Sequence, residues 1–198
     1  GLTMAAHWLS VVAIVLAFGL VWTREAIDSD SLGKSLLALH RQAGMLVLLL
    51  LAVRLIARWS QPQQDPALPP LLHRAAQASQ WLFYTLLLAM PLLGWAMTSA
   101  QGHALQLFNL ATLPPLLAVD PDLADSLQEW HELGASCLLG LMALHVLAAL
   151  WHHWFRRDAV LASMLPLVRP RSRRSLISAA RLSAARPRLR PSCITANP

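Results

Sequence analysis

Four apolar stretches, approximately residues 7–23, 38–59, 78–99 and 133–155, dominate this chain. Each is close to the length needed to cross roughly 30 Å of hydrocarbon, for which about 20 mostly apolar residues suffice. No other stretch qualifies. Four helices joined by short or moderate connections predict an all-α, integral membrane, four-helix up-down bundle, an architecture that holds cofactors between facing helices. The first apolar run lacks a basic leading segment and is too long for a cleaved signal, so it is expected to be retained as a helix.

Composition and charge agree with a membrane location. Of the 198 residues, 56% are hydrophobic and only 13% are charged, against about a quarter charged in soluble domains. The basic balance would suit a nucleic-acid ligand if it were spread over a folded surface. Instead it is concentrated after the last span, where ten arginines from Arg156 to Arg190 face one acid, Asp158. That excess exceeds the net +6 of the whole chain, so the basicity reads as a topology signal and nucleic acid is not an expected partner. The two cysteines, Cys137 and Cys193, are too few for a disulfide framework or a Cys-rich metal site.

Charge also orients the bundle. The connection REAIDSDSLGK holds three acids and two bases, and residues 100–130 hold Asp120, Asp122, Asp125 and Glu129 with no Lys or Arg. The middle connection carries Arg58 and Arg74 against Asp65. The positive-inside rule then puts the middle connection and both termini in the cytoplasm, with the acidic connections facing outward. Trp8, Trp22, Trp59, Trp81, Trp130, Trp151 and Trp154 fall near span ends, where a lipid–water aromatic belt belongs. Residues 1–166 form the expected membrane domain. Residues 167–198 form an Arg-rich tail, read as disordered beside an anionic leaflet, with an amphipathic surface helix as the alternative. The Pro-rich middle connection is expected to be extended, and Pro91 should bend the third helix.

Ionisable side chains are costly within such spans and need a reason to be there. His131 and His145 are separated by fourteen positions, close to four turns and about 21 Å of rise, so both leave nearly one face of the fourth helix at two depths. In the up-down order, His40 lies level with His131, and His7 lies towards the depth of His145. Two matched pairs at two depths are what two bis-histidine haems require, since each iron takes one axial imidazole from each of two facing helices. Gly44, one turn after His40 in HRQAG, leaves room for a porphyrin against the helix. Arg54 lies fourteen residues beyond His40 and would either pair with a haem propionate or snorkel to headgroups. Arg41 is a second candidate for a propionate. His73 and His103 lie outside the spans and are not expected to ligate.

These residues resemble the bacterial cytochrome b-561 family of dihaem membrane proteins. The likeness runs from the His7–Trp8 pair through HRQAG, VRLIAR, YTLLLAMPLLGW and LFNLATLPP to WHELG and ALHVLAALWHHWFRRD. It implies two haem b groups, with His7 and His145 at the cytoplasmic one and His40 and His131 at the periplasmic one. It also implies electron exchange between the ubiquinone pool of a respiratory chain and a donor or acceptor at the other face. Some members are assigned superoxide oxidation with ubiquinone as acceptor. Others are haem-bearing anchor subunits that relay electrons for a separate dehydrogenase or hydrogenase, and that remains the alternative here. The long Arg-rich tail departs from the family pattern without touching a ligand position.

On this reading an electron enters at the outer pair, passes to the inner pair, and reaches quinone at the cytoplasmic end of the fourth helix. His152, seven residues past His145 and on nearly the same face, would contact quinone or deliver a proton. An interfacial role beside Trp151 and Trp154 is the other possibility, and it is the expected one for His153. The acidic outer connections do not favour an anionic donor such as superoxide, although Arg24, Lys34 and Arg41 offer a local positive path. A metal transporter using intramembrane histidines would need acidic or Cys partners in the spans, and Glu132 alone is too few.

Overall fold

A computed structural model describes residues 2–60, 69–108 and 110–156. Four helices, α1 (Leu2–Ala26), α2 (Asp30–Trp59), α3 (Pro70–Ala100) and α4 (Pro121–Trp151), run in sequence order. All four are long and apolar enough to cross a membrane. The helices α3 and α4 are linked through a short hairpin of β1 (Leu105–Leu107) and β2 (Ala111–Leu113). The chain is thus a helical membrane bundle, as the apolar pattern predicts. The expected extended connector at residues 61–68, the expected Arg-rich tail and the boundary at 166 lie outside the described residues.

Local chemistry sets where the helices begin and turn. Asp120 caps α4, its carboxylate accepting from the Leu123 N–H at 3.0 Å, and Pro121 takes the first helical position, where no N–H is needed. Pro70 has the same role in α3. The α1–α2 turn is short: Ile27 N–H donates to Arg24 O at 3.4 Å as α1 ends, and Gly33 N–H donating to Ser29 O at 2.8 Å is the first helical bond of α2. Pro91 is buried within a continuous α3. Beyond Trp151 the helix widens into one π-helical turn, His152–Arg156.

The packing is that of two helical hairpins laid together. Backbones approach most closely between α1 and α2 and between α3 and α4, less so between α2 and α3, while α4 makes no comparable contact with α1 or α2 among the described residues. Small residues allow the first approach, since Ala6, Ser10 and Ala13 are buried on one face of α1. On the other hairpin, a methyl group at Gly134 would stand 2.6 Å from the Met90 sulfur, so glycine lets α4 close on α3 there. The centre is a cluster of Ala13, Ile14, Val47, Leu51, Leu87 and Leu138, to which every helix contributes. Leu9, Val12, Leu16, Leu49, Leu88, Leu144 and Leu147 point outward, an apolar exterior suited to lipid.

The connection between α3 and α4 is more ordered than its sequence suggested. Residues 121–130, expected in a loop, form the first turns of α4. The span criterion registers only lipid-soluble residues, and these turns carry Asp122, Asp125 and Glu129. The hairpin closes on Phe108, a non-glycine residue at φ 47°, a left-handed conformation that costs about 1–2 kcal/mol. The segment is strapped to α3 by Trp95 Nε1–H donating to Pro114 O at 3.2 Å and Leu116 N–H donating to Ser99 Oγ at 3.1 Å.

Candidate cofactor site

A cavity of about 530 Å³ opens between the helices, walled by all four of them. His40, Arg41 and Gly44 of α2 line it, with Gly94 of α3 and His131 and Glu132 of α4. Its size falls within the range of roughly 300–1,000 Å³ usual for small-molecule and cofactor sites. A methyl group added to Gly44 would meet nothing within 4 Å, so the position opposite His40's next turn is open space, as the HRQAG motif predicts.

His40 and His131 face each other across this cavity, with ring centroids 6.2 Å apart and planes at 75°. Two imidazoles coordinating one metal from opposite sides, each through a bond of about 2 Å, place their centroids roughly 6 Å apart. The His40 ring has a defined orientation and tautomer. Its Nδ1 lies 2.9 Å from the Ala17 carbonyl oxygen, which can only accept, so Nδ1 carries the proton and Nε2 keeps its lone pair for a metal. Two buried polar atoms on opposite walls, Nδ1 of His131 and Nε of Arg41, make no well-formed hydrogen bond among the described residues, although the His131 ring sits beside the Met90 backbone. Buried polar atoms are rarely left unsatisfied, and such exceptions point to a ligand or solvent in the site.

The second pair is looser. His7 lies within electrostatic reach of both Arg54 and His145, and Arg54 is in turn close to Tyr84. The His145 ring stands edge-on to Phe83 at 5.3 Å between centroids, and His7 packs edge-on against Trp8 at 5.7 Å. The structure therefore sets His40 and His131 face to face, whereas His7 and His145 are related by electrostatic reach, with Arg54 acting on both. His152 begins the π-helical turn and is half-buried, while His153 is exposed. The wider turn begins at His152, so regular helical spacing from His145 ends there. Arg24 and Lys34 share a smaller pocket of about 350 Å³ with Glu25, Asp28 and Asp30, so the positive path of the sequence reading is mixed with acids.

Three contributors were not foreseen. Gly94 leaves space beside His131, where a methyl group would come within 3.5 Å of Cε1. Its signal was present in the LLGW segment but has no helical partner legible in sequence. The Ala17 carbonyl is backbone and carries no residue signature. Gln42 links α2 to the hairpin.

The donor set discriminates between kinds of metal centre. Among the described residues no three or more His, Cys, Asp or Glu side chains gather as a metal site. Histidine in twos suits a porphyrin iron, whose other four ligands belong to the macrocycle. The bundle and its facing imidazoles define an intramembrane haem-binding helical protein. The family model of prokaryotic cytochrome b561 matches residues 1–167, and the chain belongs to that family. It is a transmembrane b-type cytochrome of electron transfer. Among its relatives, the "probable superoxide oxidase CybB" of Yersinia pestis is 29% identical over 170 residues, covering 85% of this chain and 96% of the relative. "Cytochrome b561 homolog 1" of Escherichia coli K12 is 28% identical, covering 81% and 92% respectively. "Cytochrome b561 homolog 2" of the same organism is also 28% identical, covering 83% and 89%.

Proposed function

We propose that this cytochrome holds two haem b groups and moves single electrons across a bacterial inner membrane, between a periplasmic donor and the ubiquinone pool. Haem b supplies one-electron redox chemistry at potentials the polypeptide tunes. His40 and His131 are the axial ligands at the periplasmic end, and His7 and His145 those at the cytoplasmic end. The observation that carries this reading is the 6.2 Å spacing of the His40 and His131 rings, together with the Nδ1–H of His40 held by Ala17. With an imidazole from each of two helices holding it, the haem would supply outer-sphere electron transfer and not oxygen binding.

The supporting groups follow. Arg41 and Arg54 meet propionates, because a guanidinium within a membrane bundle needs an anionic partner, and Gly44 gives the macrocycle its flat wall. Both termini and the Arg-rich segment after residue 166 lie in the cytoplasm, following the charge asymmetry of the connections. Residues 1–166 make up the membrane domain. His152, at the cytoplasmic end of α4, contacts quinone and passes it a proton.

The donor proposed is superoxide, the substrate in the name of the Yersinia relative. Two superoxide anions each give up one electron and leave as dioxygen, while ubiquinone gains two electrons and two protons to become ubiquinol. The purified protein should show Soret and α bands and bind two haems per chain by pyridine haemochrome assay. Its haems should reduce on rapid mixing with superoxide and reoxidise on addition of ubiquinone. One haem per chain would overturn the two-site reading. Haems inert to superoxide, in a protein that co-purifies with a dehydrogenase or hydrogenase subunit, would establish the anchor function instead. A His152→Gln variant with normal haem content and undiminished quinone reduction would remove His152 from the scheme.

A further inference from the structure

The hairpin between α3 and α4 is fastened to α2 by one side chain. Gln42 Nε2–H donates to the Gln106 carbonyl, and Gln42 Oε1 accepts from the Phe108 N–H at 2.7 Å. In the β1–β2 register, Leu105 pairs with Leu113 and Leu107 with Ala111. Backbone polar groups alternate sides along a strand, so the Gln106 carbonyl and the Phe108 N–H lie on the same side of β1. The Gln42 amide serves that edge as a neighbouring strand's peptide group would. Phe108 is also the residue held at φ 47°, so Gln42 grips the chain where it departs from ordinary backbone geometry.

The grip lies over the cavity. Leu105 of β1 is buried and forms part of the cavity wall, and Gln42 follows the wall residues His40 and Arg41 directly. On the α3 side the segment is attached twice, through Trp95 and Ser99. On the α2 side, Gln42 makes the side-chain attachment found among the described residues. The arrangement has a hinge on α3 and a catch on α2.

We infer that Gln42 is a positioning residue that latches the hairpin as a cover on the His40–His131 site, limiting which donors reach it from that face. The inference rests on the haem reading above. Glutamine suits the task because its amide donates and accepts at once. Glutamate would keep the acceptor for Phe108 but set a second acceptor against the Gln106 carbonyl.

The test compares wild type with Gln42→Ala and Gln42→Glu as purified, haem-loaded protein. Backbone amide exchange across residues 105–113 is read by mass spectrometry, and oxidation of the reduced protein by ferricyanide is followed by stopped flow. Losing both hydrogen bonds to the cover in Gln42→Ala should raise amide exchange there about tenfold or more, and Gln42→Glu, which loses one, should raise it less. Ferricyanide oxidation should accelerate several-fold with haem content unchanged. Unaltered exchange in both variants would overturn the latch. Faster exchange with an unaltered ferricyanide rate would overturn the cover. A wild-type preparation without haem would count against the haem reading alone, because exchange in that same preparation still reports on the latch.

Discussion

The Nδ1–H of His40 donates to the carbonyl oxygen of Ala17, across the α1–α2 interface, at 2.9 Å. The bond fixes the imidazole as a ligand before any metal arrives, because it leaves only Nε2 with a lone pair. His131, opposite, sits beside the Met90 backbone but makes no well-formed Nδ1 hydrogen bond among the described residues. The two sides of the site are thus unequally prepared.

Substituting either member of this pair should remove the same cofactor. His40→Ala and His131→Ala are each expected to lower haem content by about half, since one axial imidazole does not hold a b-type haem firmly. His7→Ala and His145→Ala should each remove the other half. Haemochrome assays with low-temperature α-band spectra distinguish the two haems, and loss in any crossed pairing would refute the assignment.

Gly44 separates cofactor binding from folding. Space around it is open in the polypeptide itself, so Gly44→Leu should insert into the membrane and keep its helical circular dichroism. The added side chain enters the cavity beside His40, and the haem of that pair should be lost while the other is retained. A Gly44→Leu protein with full haem content would show that the macrocycle does not lie there.

On the proposed reading, Arg54 would help set the reduction potential of the haem held by His7 and His145. A positive charge favours the reduced iron, which carries one fewer positive charge, so Arg54→Gln should lower the potential of the His7–His145 haem. At an effective dielectric near 20, a charge roughly 10 Å away is worth on the order of 1–2 kcal/mol, or several tens of millivolts. The other haem should be almost unmoved. Spectroelectrochemical titration resolves both, and a uniform or absent shift would exclude the local role.

The start of α4 depends on Asp120. Its carboxylate satisfies the Leu123 N–H, and its own N–H donates to the Ala100 carbonyl at 3.0 Å. Asp120→Ala should cost about 1 kcal/mol, visible as a lower thermal midpoint in detergent and faster amide exchange in residues 122–124. Asp122→Ala, which loses only a favourable charge near the helix N-terminus, should have a smaller effect.

The spans and the meeting of His40 with His131 were legible in the sequence for a simple physical reason. Lipid demands long apolar helices, and a helix converts the interval from His131 to His145 into one face and a known rise. The hairpin was not legible because LQLFNLATL is apolar without clear alternation, and its order comes from Gln42, Trp95 and Ser99, which are distant in sequence. The early turns of α4 carry a helix-start signal in Asp120–Pro121, but their acids set them outside the apolar span, and an apolar pattern alone does not reveal them. Gly94 and the Ala17 carbonyl act through interhelical proximity, which periodicity within one helix cannot reveal.

The division into two helical hairpins has a consequence for how the protein is made. Such pairs can enter a membrane and close on their own small-residue contacts, leaving the seam between them to form later. The facing rings of His40 on α2 and His131 on α4 cross that seam, and the proposed pairing of His7 on α1 with His145 on α4 would cross it too. Only 6% of the most apolar window of α4 is buried by protein, against 22–28% in the other helices. Cofactor delivery would therefore be the last assembly step, riveting two half-molecules into one, and a cell short of haem would accumulate inserted but unmated halves.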